Sequence, residues 1–191
     1  MSRDGPPSVV NWGLPSSAEI GGREYTINTD FRDVLEIIEV MQDPEKHERI
    51  RTLVALSLFY DGFEDMPPDD YHDALQWMVE FINCGEPDDG TPHPKTIDWE
   101  QDRLVIAAEV NKVAGTEIRA LPHLHWWTFI AYFNSIGEGQ LSYIVSIREK
   151  LRKGKPLEKH EREFYRQNRT RVDFKQKFTQ ADEDLLSKWM I

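Results

Sequence analysis

Cysteine is almost absent from this chain of 191 residues, which has Cys84 alone. A single cysteine excludes an internal disulfide and is typical of proteins from a reducing compartment. Long apolar runs are absent as well, because no stretch approaches the roughly 20 residues of a membrane-spanning helix. The N-terminus also lacks the apolar segment of a signal peptide. We therefore expect a cytoplasmic protein without a membrane segment.

The usual signatures of catalysis are missing too. The chain has no glycine-rich phosphate loop, no Gly-x-Ser-x-Gly and no cysteine paired with a histidine at a catalytic spacing. The aspartates of YDGFEDMPPDD lack the register of an EF-hand, so we interpret them as the solvated start of a helix. We predict no catalytic residue, no cofactor and no metal, and expect that the protein is not an enzyme.

The pair His123 and His125 is the strongest metal candidate in the sequence. Residues two apart on a helix point about 200° away from each other, so the two rings could share an ion only from a strand or a loop. The nearest third histidine is His93, in a segment rich in proline. We interpret His125 as a buried, hydrogen-bonded side chain and His123 as exposed in the first turn of a helix.

Positive charge is scarce in the first half of the chain. Residues 1–100 have 7 Lys and Arg against 22 Asp and Glu, a net charge of −15, whereas residues 101–191 have 16 against 12, or +4. The excess positive charge is concentrated in residues 148–178, with 12 basic and 5 acidic side chains. Such separated charge favours head-to-tail self-association or a charged partner.

The hydrophobic pattern predicts an all-α fold with a single globular domain of six to eight helices. REYTIN favours a strand, but one strand is too short to build a sheet alone. We place an extended N-terminal arm at 1–24, the helical domain at 25–178 and a short amphipathic segment at 179–191. The predicted helices begin near Asp30, Pro44, Pro67, Asp98, Pro122, Gln140 and Pro156.

The aromatic stretch ALPHLHWWTFIAYFNSIGEGQ predicts the central helix of the core. Neither glycine nor proline interrupts residues 123–136, so a helix of about fifteen residues is expected. Its apolar side chains cover so much of the circumference that neighbours must surround it. The residues assigned to this core are Leu124, His125, Trp126, Trp127, Phe129 and Phe133.

The segment PLEKHEREFYRQNRTRVDFKQKF, residues 156–178, predicts one long, polar and basic helix. Three interpretations remain open: a solvated helix, a helix that binds a protein, and a helix that follows nucleic-acid phosphates. Acidic residues interrupt the basic ones and the whole chain is acidic, which disfavours nucleic acid. The candidate partner-binding residues are Arg162, Phe164, Tyr165, Arg166 and Arg169.

Several segments closely resemble the bacteriophage gp-fifteen family of tailed phages and prophages. They are YTINTDFRDVLEI, DWEQDRLVIAAEVNKVAGTEIR, LHWWTFIAYFNSIGEGQLSYIVSIREKLRKGK and LEKHEREFYRQN. The likeness extends from about Tyr25 to about Phe178 and is most specific at LHWWTF. It carries no catalytic residue.

The resemblance implies a gene between those of the major tail protein and the tape-measure protein, the position of tail assembly chaperones. It therefore implies a chaperone in the host bacterial cytoplasm that binds the tape-measure protein and possibly the major tail protein, with a homo-oligomer also open. The alternative is a structural tail or connector component retained in the virion. A metal- or nucleic-acid-binding enzyme is the third hypothesis.

Overall fold

The computed structural model describes residues 12–86 and 94–175. Within these ranges the chain is mainly helical, with a small antiparallel hairpin of β1 (Ser17–Ile20) and β2 (Arg23–Thr26). The eight helices are α1 (Phe31–Met41), α2 (Glu48–Phe59), α3 (Tyr71–Ile82), α4 (Arg103–Ala114), α5 (Trp126–Asn134), α6 (Gln140–Arg152), α7 (Lys159–Gln167) and α8 (Arg169–Val172). Short 3₁₀ turns cover Phe63–Asp65, Pro68–Asp70 and Ile118–Ala120.

The hairpin corrects the expectation of an all-α fold, and it begins within residues 1–24, the segment predicted as an extended arm. Gly21 and Gly22 both have positive φ, at 58° and 76°, as a two-residue type I′ turn requires. Ala18 and Ile20 alternate into the core and are almost fully buried. This burial fixes the hairpin, so residues 17–24 are structured. The predicted segment 179–191 and His93 lie outside the described residues.

The described residues form two compact units. The first unit contains residues 12–86 and 122–129, and the second contains residues 94–121 and 130–175. This division does not test the predicted domain boundary at 25–178, which stays a prediction.

In the first unit, α1 begins where the sequence predicts. Asp30 caps it, because its Oδ1 accepts the backbone N–H of Arg32 at 3.0 Å. The next helix, α2, starts four residues later than predicted: Pro44 lies in a turn, and Nδ1 of His47 accepts the N–H of Arg49 at 3.2 Å. A side-chain acceptor three residues beyond the proline therefore sets the start of α2.

In the second unit, α4 ends at Gly115, whose φ of 69° suits a left-handed C-cap. The long helix predicted over residues 156–178 is wrong, because α7 ends at Gln167 and a separate turn, α8, follows. Asn168 stands between them, and its amide donates to the carbonyl of Phe164 at 3.0 Å. This side-chain bond occupies a carbonyl in the last turn of α7 at the point where the chain changes direction.

Candidate functional site

The aromatic segment starts as an extended strand rather than as a helix. The N–H of Phe31 donates to the carbonyl of Leu124 at 2.9 Å, and the N–H of Trp126 donates to the carbonyl of Thr29 at 2.7 Å. Asp30 and His125 thus form an antiparallel bridge. The predicted helix over 123–136 is wrong at its start, because these bonds hold the backbone extended up to Trp126.

Both adjacent tryptophans bind the C-terminal end of α3. The indole Nε1 of Trp126 donates to the carbonyl of Ile82 at 2.8 Å, and that of Trp127 donates to the carbonyl of Phe81 at 2.9 Å. The last four carbonyls of a helix have no partner within it. The carbonyl of Phe81 also accepts the N–H of Cys84, so Trp126 supplies the donor that Ile82 lacks and Trp127 adds a second donor at Phe81. The Trp-Trp pair therefore acts as a helix cap made by side chains distant in sequence.

His125 lies in the first unit with both ring nitrogens engaged. Its Nδ1 accepts the N–H of Trp127 at 3.1 Å, and its Nε2 lies 3.0 Å from the carbonyl oxygen of Pro15. Since Nδ1 accepts, the neutral ring carries its proton on Nε2 and donates it to Pro15. Burial lowers the pKa of His125 below its usual range. The ring orients the start of α5 and offers no free nitrogen to a metal.

His123 is exposed, and its Nε2 lies 3.0 Å from the hydroxyl of Thr29. It precedes α5 in the extended segment, so the predicted position in a first helical turn is wrong. In residues 12–86 and 94–175, no three His, Cys, Asp or Glu side chains lie close enough to share a metal ion.

Asp30 joins the start of α1 to the aromatic segment. Its carboxylate accepts from Nε and Nη2 of Arg32 at 2.7 and 2.8 Å, and from the N–H of Leu124 at 2.9 Å. Burial alone would raise the pKa of Asp30, but these hydrogen bonds outweigh it and lower the pKa to about 2. The carboxylate is thus charged at neutral pH and holds two chain segments together.

The structure places the core signature residues in both units. Leu124, His125, Trp126 and Phe129 are buried in the first unit, whereas Trp127 is half-buried there and Phe133 is half-buried in the second unit. Phe129 stacks on Phe31 with ring centroids 4.7 Å apart. Phe133 contacts Trp99 at 5.0 Å. The aromatic side chains thus pack against neighbours within each unit.

The candidate partner-binding residues divide into two groups. Phe164 packs edge-on against Tyr143 with ring centroids 4.9 Å apart, and the hydroxyl of Tyr165 donates to Oδ1 of Asp173 at 2.8 Å. These two aromatic side chains therefore face the second unit's interior. Arg162 and Arg166 are exposed.

Arg169 is also exposed, but its Nε donates to Oδ2 of Asp173 at 2.9 Å. Its charge is therefore partly neutralised, whereas the described residues contain no ion pair of Arg162 or Arg166.

A buried ion pair that the sequence did not predict organises the second unit. Arg148 donates through Nη1 and Nη2 to both carboxylate oxygens of Asp102, at 2.6 and 2.9 Å, and the two side chains are 4% and 3% exposed. The guanidinium also donates to the carbonyls of Thr96, Arg171 and Val172. It thereby connects α4 and α6 to the segment that follows α7.

The sequence does contain a signal that Arg148 is buried. Arg148 follows Leu141 by seven residues and Ile144 by four, so it occupies the buried stripe of α6. An arginine in an apolar stripe requires a buried acceptor, and a carboxylate is the strongest one. The stripe therefore predicts a partner such as Asp102, although it does not identify which carboxylate.

An open groove of about 670 Å³ lies in the first unit between the start of α2 and the turn before α3. It is lined by Leu53, Pro68 and Tyr71 and by the polar side chains of His47, Glu48, Arg49 and Thr52. Ile50, on the same helical turn, is 53% exposed. A surface that combines apolar and polar residues can bind an amphipathic segment.

Among the described residues, no helix combines the length and the apolar composition needed to cross a membrane.

Comparison with known proteins agrees with the resemblance in the sequence. Neither the curated proteins nor the solved structures include a match to this chain. The model of one family, described as bacteriophage Gp15 protein, matches residues 10–174 and thus most of the chain. The matched residues include Asp30, the helix cap of Trp126 and Trp127, and the buried ion pair of Asp102 and Arg148. The chain therefore belongs to the bacteriophage Gp15 protein family.

Proposed function

We propose that this protein assists phage tail assembly by binding another protein, in the first place the tape-measure protein and in the second the major tail protein. The observation that carries the proposal is the family match over residues 10–174. The resemblance to this family implies a gene between those for the two proposed partners. The proposal places this binding in the host bacterial cytoplasm.

The physical task of such a protein is to cover a long, apolar, helix-prone chain until tail-tube subunits polymerise around it. Weak contacts suffice, because repeated binding along one chain accumulates affinity. The groove beside α2 supports this task, since its apolar residues and the exposed Ile50 can receive the apolar face of an amphipathic helix.

The same proposal gives the chain no catalytic role. The buried carboxylates, arginine and histidine of the described residues, among them Asp30, Arg148 and His125, make hydrogen bonds within their own unit. Such groups stabilise structure, whereas a catalytic base or nucleophile must reach a bound substrate. Metal at one ion per chain in the purified protein, or salt-sensitive binding of DNA, would favour the enzyme hypothesis instead.

The test is co-expression with the protein encoded immediately downstream, followed by a pull-down. We expect the wild-type chain to retain that protein and the variant Ile50→Glu to retain about tenfold less, because a charge on the exposed apolar residue beside the groove weakens an apolar contact by roughly 1.4 kcal/mol or more. Leu104→Glu is the matched control, since Leu104 is 66% exposed on α4, in the other unit.

Failure of the wild-type chain to retain the downstream protein would contradict the proposed partner. Equal retention by both variants would contradict the groove as the binding surface. The amount of the chain in finished virions decides between the two roles: absence or low abundance agrees with a chaperone, whereas a stoichiometric amount would favour a structural tail or connector component.

A further inference from the structure

The outer face of α7 has a row of positive charge that makes no ion pair with a described residue of its unit. Lys159, Arg162 and Arg166 are spaced three and four residues apart and are all exposed, so they form one stripe, here called the basic stripe. Within the described part of the chain no carboxylate pairs with any of them. Glu158 and Glu163 are also exposed beside the stripe and together remove two of its three units of charge, which leaves a net charge of +1.

Two acids near α7, Glu161 and Asp173, are engaged within the second unit. Oε1 of Glu161 accepts from Nζ of Lys150 at 2.6 Å, and Asp173 accepts from Arg169 and Tyr165. These contacts fix the orientation of α7 and direct the basic stripe towards solvent. The backbone that carries the stripe is therefore held in place, while the three exposed side chains stay mobile and lose rotamer freedom on binding.

The first unit presents the opposite charge. Residues 61–73 contain six Asp and Glu and no Lys or Arg. Five of these acids are exposed, and none of the five forms an ion pair with a described residue; the five, here called the acidic segment, are Asp61, Glu64, Asp65, Asp69 and Asp73. Met66 is buried, and Phe63 packs against Tyr71 with ring centroids 5.0 Å apart. These anchors hold the two 3₁₀ turns and direct the carboxylates outward.

We propose that the basic stripe of one copy of this chain binds the acidic segment of a second copy, head to tail. Arginine pairs with carboxylates through two parallel hydrogen bonds, so Arg162 and Arg166 facing Asp65 and Asp69 give the contact a defined geometry. Because each copy carries both faces, the contact is heterologous and extends into a ring or an open chain. The proposal is independent of the tape-measure partner.

Salt has two opposing effects on this contact. The net charge of −11 makes whole copies repel each other, but at about 0.1 M salt the Debye length is about 10 Å, which screens that long-range repulsion more than ion pairs in contact. At about 1 M the length falls to about 3 Å, and exposed pairs weaken as well. Association should therefore be strong near 0.1 M and weak near 1 M.

Sedimentation velocity of the full chain tests the proposal with two neutralised variants. The stripe variant is Arg162→Gln with Arg166→Gln, and the acidic variant is Asp65→Asn with Asp69→Asn. We expect the wild-type chain to associate beyond a dimer at about 0.1 M salt, and each variant alone to remain a monomer. Mixed in equal amounts, the variants should form a dimer and nothing larger, because each retains one intact face.

Two matched controls each remove two charges of the same sign at positions outside the proposed contact. Arg152→Gln with Lys153→Gln removes two positive charges at the end of α6, and Asp33→Asn with Glu36→Gln removes two negative charges from exposed positions on α1. Both controls should associate like the wild-type chain. Far-UV circular dichroism of every variant checks that the helices are intact.

Three results would overturn the proposal. One is a monomeric wild-type chain at about 0.1 M salt. Another is an acidic variant that associates as well as the wild type, since the stripe would then bind something other than this segment. The third is a monomeric wild-type chain that binds a DNA or RNA oligonucleotide in a salt-sensitive way, together with a stripe variant that does not bind it. That result would show that the stripe binds nucleic acid.

Discussion

Arg148 and Asp102 form a bidentate ion pair inside the second unit, with Nη1 2.6 Å from Oδ2 and Nη2 2.9 Å from Oδ1. Removal of one partner leaves the other charge buried, which costs about 3 to 5 kcal/mol. We expect Arg148→Met to lower the free energy of unfolding by that amount. Urea unfolding followed by circular dichroism measures it. The double variant Arg148→Met with Asp102→Leu should recover part of the loss, and strictly additive losses would contradict a coupled pair.

The two indole caps of α3 should differ in their contribution to stability. Trp126→Phe should cost about 2 kcal/mol, because the carbonyl of Ile82 loses its donor beside a buried ring. Trp127→Phe should cost about 1 kcal/mol, since the carbonyl of Phe81 also accepts the N–H of Cys84 at 2.9 Å. Urea unfolding monitored by circular dichroism in the far ultraviolet compares them without relying on tryptophan fluorescence. Unchanged stability in both variants would show that the indoles contribute packing alone.

Stability should fall in acid because of Asp30. Its pKa is about 2 in the folded chain against an ordinary value of 3.8, so its contribution of about 2 kcal/mol is complete above pH 3.8 and is lost as the pH falls towards 2. The variant Asp30→Asn lacks this titration. We expect wild type and variant to differ by about 2 kcal/mol at neutral pH and to converge near pH 2. A difference in stability that stays constant across that pH range would show that the substitution acts through the shape of the side chain rather than through its charge.

Gly137 and Gly139, which both precede α6, should respond differently to replacement by alanine. A Cβ at Gly139 would lie 2.8 Å from Oε1 of Glu109, the oxygen that accepts the N–H of Gln140 at 3.2 Å. Gly139→Ala should therefore displace that buried carboxylate and cost about 1 to 2 kcal/mol. Gly137→Ala meets nothing within 4 Å and should be neutral or stabilise by up to about 1 kcal/mol. Thermal unfolding of both compares them, and equal effects would contradict the carboxylate contact.

Helices and turns whose ends are set by residues close in sequence could be predicted from the sequence alone. Asp30 caps α1 through a residue two positions away, and Gly115 ends α4 through its own backbone conformation. The hairpin also had a local signal, because Gly21 and Gly22 separate two short alternating segments. The sequence predicts a single strand, because only the second of those segments is rich in strand-forming residues.

The start of α5 depends on contacts that no local pattern contains. The N–H of Leu124 binds a carboxylate 94 residues earlier in the chain, and this bond competes with the helix that Pro122 would otherwise begin. For the same reason the role of Trp126 and Trp127 as caps was not predictable, since a tryptophan doublet is equally typical of a packed core. The candidate site was therefore predictable by residue type and burial, but not by hydrogen-bond role.

The Trp-Trp helix cap also sets an order of events during synthesis. The indoles reach back 44 and 46 residues, across the part of the chain from residue 94 to residue 121 that belongs to the second unit. The ribosome delivers the chain from its N-terminus at about 5 to 20 residues per second, so α3 is made several seconds before its cap. Until then the carbonyl of Ile82, the last of α3, lacks its donor, so the first unit completes the hydrogen bonds of α3 only after Trp126 has been made.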